Sequence, residues 1–251
     1  MAGHSHWASI KHKKGAADAK KGKVFSKVTR MITVAARRGG GDPDMNPKLH
    51  LAISKGRAVN MPKENIERAI QKGTGGSGGA ELFECMYEGY GPHGIALMVE
   101  ILTDNKNRTA PEIRKIFERF GGNLGESGCV SWMFEKKGLI IVNSNQLNED
   151  EFMMLVLDAG AEDLQRVGEI FQVICPQANL DTVKKAIESN NIKVETAELS
   201  WIPKNNIDLD ETTGRKVLGI MDALEDHDDV QNVYSNFNLP QTLLDEIQSA
   251  K

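Results

Sequence analysis

Lysines and arginines near the amino end of the chain recur at helical spacing. Lys20, Lys23, Lys27, Arg30 and Arg37 follow one another at intervals of 3, 4, 3 and 7 residues. Because an α-helix has about 3.6 residues per turn, this spacing places the cations along one side of a helix. Lysine and arginine neutralise the phosphates of nucleic acids, so the row predicts a nucleic-acid-binding helix.

The charge of the chain is divided between its two ends. Residues 1–75 contain 16 Lys and Arg and 5 Asp and Glu, a net charge of +11, whereas residues 76–251 contain 15 and 30, a net charge of −15. The overall charge of −4 and the isoelectric point of about 5.9 conceal this division. A basic block of domain size is typical of nucleic-acid binders. The competing interpretation is that the basic half docks onto the acidic half of the same protein.

The candidate nucleic-acid-binding residues belong to an N-terminal arm, to the cationic row and to the segments that follow it. A single lysine on a helix is usually solvated, but here little acid accompanies the bases. Trp7 of the arm could also stack on bases. The candidates are Lys11, Lys13, Lys14, Lys20, Lys21, Lys23, Lys27, Arg30, Arg37, Arg38, Lys55, Arg57 and Lys63.

Apolar residues on the opposite side of the cationic helix indicate a shared hydrophobic core. Gly39 to Gly41 are predicted to end this helix, because glycine readily adopts the left-handed conformation of a helix C-terminus. Between Ala16 and Arg38 the apolar positions recur at helical spacing: Val24, Phe25, Val28, Met31, Ile32, Ala35 and Ala36.

Two further helices are predicted before residue 75. Asn46 followed by Pro47 is typical of a helix start, since asparagine caps the first turn and proline suits its first position. A third helix is predicted to begin near Pro62. Three short helices around one core would make a bundle, and the segment GTGGSGG at 73–79 predicts a flexible hinge and a domain boundary.

Histidines and cysteines do not form recognisable sites. His4, His6 and His12 have no Cys, Asp or Glu near them until Asp18, so no metal site is predicted. His93 lies in GYGPHG without a nucleophile beside it, and this segment fits a hairpin turn better than a phosphate cradle. The three cysteines are far apart and are predicted to be reduced core thiols: Cys85, Cys129 and Cys175.

An acidic cluster near the C-terminus allows two interpretations. Its carboxylates could gather magnesium, but a solvated helix end is the more common explanation and is favoured here. No catalytic residue, metal or cofactor is therefore predicted. The cluster consists of Asp222, Glu225, Asp226, Asp228 and Asp229.

The acidic remainder alternates strands and helices and predicts an α+β fold. A strand at 95–102, a helix at 111–120 and a strand at 130–134 precede a β-α-β-β-α-β series, the order of a ferredoxin-like domain. A helix at 214–224 and a strand at 230–236 would complete the first series. The predicted domains are the helical one at 1–79, an α/β domain at 80–136 and 204–251, and a third, ferredoxin-like domain inserted at 137–203. The predicted strands and helices of that insert are 139–142, 149–158, 163–167, 170–174, 180–189 and 193–201.

A resemblance to a known family covers nearly the whole chain. The YebC/PmpR family has an N-terminal signature that resembles MAGHSHWASIKHKKGAADAKKGKVFSK, GGGDPDMNPKLHLAI and NMPKENIERAIQKGTGG, and the resemblance continues through YEGYGPHGIALMVEILTDNKNRTAPEIRKIF and GGNLGESGCVSWMF. It implies a helical bundle and two α/β domains, the third inserted into the second. His6 stands where a lysine is expected, and SKGR at 54–57 is unusual for the second helix.

The resemblance also implies a function in gene expression. Bacterial members are described as DNA-binding transcriptional regulators, mitochondrial relatives are translational activators of cytochrome oxidase, and other members are implicated in relieving ribosomes stalled on proline-rich stretches. We therefore expect a non-enzymatic, nucleic-acid-binding transcriptional regulator. The alternatives are a ribosome-associated translation factor that binds ribosomal RNA, an adaptor that contacts only proteins, and an enzyme with a site between the acidic domains.

The sequence also bears on where the protein acts. No apolar run approaches the roughly 18 residues needed to cross a bilayer. The basic first residues are not followed by the apolar stretch of a secretory signal. We expect a cytoplasmic monomer without membrane association.

Overall fold

The computed structural model describes residues 18–75, 82–145 and 147–249. Its first part is a bundle of three helices: α1 (Asp18–Gly39), α2 (Pro47–Ala58) and α3 (Lys63–Thr74). The predicted end of α1 is confirmed, because Gly40 has a φ of 86° and its amide donates to the Ala36 carbonyl at 2.9 Å. The predicted start of α2 is also confirmed, because the Asn46 side chain accepts from the Leu49 amide at 3.1 Å.

The bundle has its own apolar core. Ile32 and Leu49 are fully buried in it, together with other apolar residues of all three helices. Gly73 was expected in the hinge, but it lies in α3, where a Cβ would meet the Thr33 carbonyl oxygen at 2.5 Å. This glycine therefore permits close packing of α3 on α1. Residues 76–79 of the predicted hinge lie outside the described residues.

The rest of the described chain is a mixture of strands and helices. Short 3-10 turns at Pro92–Gly94, Ser131–Met133 and Gln177–Asn179 connect some of them. In chain order the elements are β1 (Phe83–Tyr90), β2 (Ala96–Thr103), α4 (Lys106–Arg119), β3 (Asn123–Leu124), β4 (Phe134–Asn143), α5 (Glu149–Asp158), β5 (Asp163–Val167), β6 (Ile170–Cys175), α6 (Leu180–Ser189), β7 (Val194–Pro203), β8 (Ile207–Asp208), α7 (Glu211–Glu225), β9 (Val230–Ser235), β10 (Phe237–Asn238) and α8 (Gln241–Ser249).

The first sheet has the strand order β3-β1-β2-β9. Strands β1 and β2 pair antiparallel from Phe83 opposite Thr103 to Tyr90 opposite Ala96, which confirms the hairpin predicted around GYGPHG. Strand β9 pairs with β2 although β3 to β8 lie between them in sequence. Helices α4 and α7 cover this sheet through an apolar core that includes Phe117 and Ile220.

The second sheet has the order β5-β6-β4-β7, and its neighbouring strands are antiparallel. With α5 and α6 packed on one face, this arrangement is the split β-α-β of a ferredoxin-like fold. The predicted α+β fold class is confirmed, and the six predicted elements of the insert match the observed ones closely. The domain boundaries remain predictions, and the one after residue 136 falls inside β4.

Two local predictions in this part were wrong. The helix expected to start at Pro111 begins at Lys106, because the Asn105 side chain caps it by accepting from the Arg108 amide at 3.1 Å. The strand expected at 130–134 is a 3-10 turn that leads into β4. In the described part of the chain, no helix is long and apolar enough to span a bilayer.

Candidate nucleic-acid interface

The cationic side of α1 is covered by another part of the protein. Val34 is four residues after Arg30 and seven after Lys27, so it lies on the same side of the helix. Only 4% of Val34 is exposed, although it is not among the core residues of the bundle. Lys27 and Arg30 are themselves partly buried. Lys27 and Arg30, in the middle of the row predicted to face a nucleic acid, therefore face protein in this structure.

The covering element is the carboxyl end of α7. Lys23 Nζ donates to the carbonyl oxygen of Asp226 at 3.1 Å, and Lys27 Nζ donates to that of Glu225 at 2.5 Å. The last carbonyls of a helix have no partner within it and carry the negative end of the helix dipole. They are therefore suitable acceptors for lysine side chains.

Asp229 is the centre of this contact. Its carboxylate accepts from Arg30 Nη1 at 2.9 Å, Arg108 Nη2 at 2.7 Å, Thr109 Oγ1 at 2.7 Å and Thr103 Oγ1 at 3.1 Å. Burial alone would raise the pKa of Asp229, but the hydrogen bonds from Thr109, Arg108, Arg30 and Thr103 outweigh it and lower this pKa to about 2. The side chain is 4% exposed, so this is a buried anion with a full set of donors.

Two further cations of the bundle bind acidic residues of the α/β part. Arg38 forms an ion pair with Glu84 of β1. Lys55 Nζ lies 2.6 Å from Glu198 of β7. Burial would lower the pKa of Lys55, but the charge of Glu198 and its hydrogen bond outweigh this and raise the pKa. Lys55 is a predicted nucleic-acid-binding residue, and in this structure its ammonium group is paired with Glu198 of β7.

Three further candidates lie in the described part of the bundle. Arg37, Arg57 and Lys63 are exposed. Lys63 Nζ is 3.6 Å from Glu67, and within the described ranges Arg57 forms no ion pair. Lys20 and Lys21 belong to α1, but their side chains lie outside the described residues. The residues of the arm lie outside the described residues altogether: His4, His6, Trp7, Lys11, His12, Lys13 and Lys14.

Part of the acidic cluster is exposed, as the sequence suggested: Asp222, Asp226 and Asp228. The prediction of a solvated helix end was wrong for Asp229, which is buried against Arg30 and Arg108. Nothing in the sequence of α1 alone indicated this partner. A signal was present in α7, whose last turn contains no basic residue and is followed at once by further acids. Because the helix dipole disfavours acids at the carboxyl end, the cluster indicated that cations of another element bind there. Among the described residues, no group of three or more His, Cys, Asp or Glu is placed to hold a metal ion.

The three thiols are not activated as nucleophiles. Burial raises the pKa of Cys175 to about 11, and burial also raises the pKa values of Cys85 and Cys129. Such thiols are protonated at neutral pH and are poor nucleophiles. His93 is exposed in the turn between β1 and β2, with a φ of 63°. All three cysteines are free.

Comparison with known proteins shows which class this fold defines. The chain matches the family model of the TACO1/YebC protein N-terminal domain over residues 5–76. It matches the model of the TACO1/YebC second and third domain over residues 82–237. The chain therefore belongs to the TACO1/YebC family, as its resemblance implied.

Several relatives are similar over their full length. A protein of Halothermothrix orenii is 53% identical over 250 residues, covering 98% of this chain and 99% of that one, and is named probable transcriptional regulatory protein. A Syntrophobacter fumaroxidans protein with the same name is 52% identical over 248 residues, covering 98% and 100%. A solved structure of a conserved hypothetical protein from Aquifex aeolicus has 46% identity and a TM-score of 0.85, covering 94% of this chain and 97% of that one.

Proposed function

We propose that this protein is a non-enzymatic regulator of gene expression that binds DNA in the cytoplasm through its basic helical bundle. The observation that carries the proposal is the net charge of +11 on residues 1–75, in a chain whose remainder is acidic. Such a charge disfavours a compact bundle unless anions offset it. The contacts with Asp229, Glu84 and Glu198 offset only part of it.

Phosphate binding offsets the positive charge of the bundle that these contacts do not offset. Arg57 and Lys63 are exposed and stand at the two ends of the α2–α3 connection. With Arg37, which is also exposed, they belong to the described part of the predicted binding surface. The arm lysines, Lys20 and Lys21 remain candidates whose side chains lie outside the described residues. Contacts of this kind bind the phosphate backbone and carry no base information, so sequence-tolerant binding is expected.

DNA is preferred to RNA in this proposal because the relatives from H. orenii and S. fumaroxidans are named as transcriptional regulators. Phosphate contacts alone do not separate the two polymers. Burial raises the pKa values of the three thiols, which supports a role without cysteine nucleophiles.

A charge-reversal experiment tests the proposal. The full chain and its Arg57→Glu plus Lys63→Glu variant are titrated against short DNA duplexes of mixed sequence and against RNA hairpins of equal length. We expect the variant to bind DNA at least about tenfold more weakly, since each lost phosphate contact weakens binding regardless of sequence. The matched control is Lys185→Glu plus Lys193→Glu, which reverses two exposed cations in the ferredoxin-like part.

The outcomes separate the parts of the proposal. Equal loss of affinity in both variants would mean that net charge, and not the bundle, determines binding. Much tighter binding to RNA than to DNA would replace the transcriptional role by an RNA-directed one. No binding of the wild-type protein to either polymer would contradict the proposal as a whole.

A further inference from the structure

Three cations that are predicted to bind phosphates are hydrogen-bonded to the end of α7 in this structure. Lys23, Lys27 and Arg30 belong to the row that predicts phosphate binding, and all three donate to the carboxyl end of α7 or to residues directly after it. Lys27 Nζ lies 2.5 Å from its carbonyl acceptor. A phosphate cannot approach these groups from the side that α7 occupies.

The end of α7 has the charge of a polyanion. Its last turn holds no basic residue, and Glu225, Asp226, Asp228 and Asp229 lie within five positions of one another. Acid at the carboxyl end of a helix is disfavoured by the dipole. The α1 cations offset the repulsion between these acids and the helix dipole. The end of α7 therefore complements the charge of α1, as a nucleic acid complements the charge of the helix that binds it.

Within the described residues, the bundle and α7 share no apolar cluster. The apolar cluster of the bundle contains only residues between Phe25 and Ile70, and the clusters of the α/β part contain none of them. The two α/β sheets, in contrast, share an apolar cluster in which Trp201 packs with Met98 and Tyr234. Interfaces within a chain that lack a shared apolar core separate readily.

We infer that the carboxyl end of α7 is an autoinhibitory mimic of phosphate that binds the cationic groups of Lys23, Lys27 and Arg30, and that nucleic acid displaces it. This inference rests on the proposed function. In the closed state Lys23, Lys27 and Arg30 bind the end of α7, and in the open state they join the other cations of the bundle in binding phosphates. The observed affinity is the intrinsic affinity multiplied by the fraction of molecules that are open.

Hydrogen exchange of the full chain is the first test. Amide exchange is measured at residues 222–230 with and without a saturating DNA duplex of mixed sequence. We expect faster exchange at the end of α7 in the complex, because the α1 side chains leave the carbonyls and the Asp229 carboxylate. Unchanged or slower exchange there, with DNA bound, would overturn the inference.

The second test is a variant that weakens the contact of α7 with α1 and leaves the α1 cations unchanged. Asp226→Asn plus Asp228→Asn removes two exposed carboxylates beside α1 and keeps buried Asp229. The fold should tolerate it, since acids at this helix end are unfavourable. Two exposed charge interactions correspond to a gain in DNA affinity of roughly two- to thirtyfold.

The matched control is Glu151→Gln plus Asp158→Asn on α5, which changes the net charge equally at exposed positions of the other sheet domain. The inference requires a larger gain in the α7 variant than in this control. Equal gains would overturn it and leave DNA binding intact. If the wild type binds no nucleic acid at all, both the inference and the proposed function fail.

Discussion

Arg30 and Asp229 are 199 positions apart in the sequence, yet Arg30 Nη1 donates to Asp229 Oδ1 at 2.9 Å. This pair joins the first helix of the bundle to the turn after α7. Asp229 also accepts from Arg108, so two cations and two threonine hydroxyls share one carboxylate. The stability of the α/β part and the position of the bundle therefore depend on the same residue.

Removal of the Asp229 carboxylate should destabilise the protein strongly. Asp229→Ala leaves Thr103 and Thr109 without their buried acceptor, and Arg108 without its main partner. We expect a loss of about 3 kcal/mol in the free energy of unfolding, as for other broken buried ion pairs. Urea unfolding monitored by circular dichroism measures it. Asp228→Ala, at the exposed neighbouring position, is the control. If Asp229→Ala lowered the free energy of unfolding as little as Asp228→Ala, this role of Asp229 would be contradicted.

The contribution of Asp229 should disappear in acid. Its pKa is lowered from 3.8 to about 2 by hydrogen bonds that outweigh burial. Because the folded-state pKa is below the unfolded-state pKa, the ionised group stabilises the fold fully above about pH 4, and this contribution is lost as the pH falls towards about 2. The difference in unfolding free energy between wild type and Asp229→Asn should shrink over this window. A difference that stays constant from neutral pH into the acid range would contradict this explanation.

Glu88 should be required for the order of the loop after β3. Its buried carboxylate accepts from the amides of Gly128 at 2.8 Å, Val130 at 3.0 Å and Ser131 at 2.7 Å. Burial would raise the pKa of Glu88, but these bonds outweigh it and lower the pKa. Glu88→Gln replaces one acceptor oxygen by a donor.

We expect this change to cost roughly 1 to 3 kcal/mol of stability and to speed amide exchange at residues 128–131. Glu126→Gln, at an exposed position of the same loop, is the control. Unchanged exchange in the Glu88 variant would show that the loop is held by other contacts.

Lys55 and Glu198 should be energetically coupled. Their charged atoms are 2.6 Å apart, and both side chains are about three-quarters covered. A double-mutant cycle with Lys55→Met and Glu198→Gln should give a coupling energy of about 1 kcal/mol in thermal or urea unfolding. Lys48→Met, on the exposed side of α2, should be uncoupled from Glu198→Gln. Additive effects of the Lys55 and Glu198 changes would show that the pair does not hold the bundle to β7.

Local patterns in the sequence were sufficient for most of the fold. Gly40 and Asn46 mark helix ends through backbone conformation and capping, and the alternation of strand and helix in 137–203 determines a ferredoxin-like order. The start of α4 was misplaced because Pro111 is a conspicuous residue, whereas the cap at Asn105 acts earlier in the chain. Such errors concern single turns and leave the architecture unchanged.

The contacts of the cationic row could not be predicted in the same way. Lys27 binds the backbone carbonyl of Glu225, and a backbone acceptor has no residue type that a sequence can display. Lys55 resembles any exposed lysine until β7 places Glu198 opposite it. The sequence shows that an excess of positive charge must be offset, but only the assembled fold shows which cations meet protein and which stay exposed.

The central claim is that the basic bundle binds nucleic-acid phosphates, and the salt dependence of binding tests it most directly. The affinity of the intact protein for a DNA duplex of mixed sequence is measured between about 50 and 200 mM salt. The account predicts that the logarithm of the association constant falls linearly with the logarithm of the salt concentration, by roughly 0.9 for each phosphate neutralised. Binding that is independent of salt, or no binding at low salt, would contradict it.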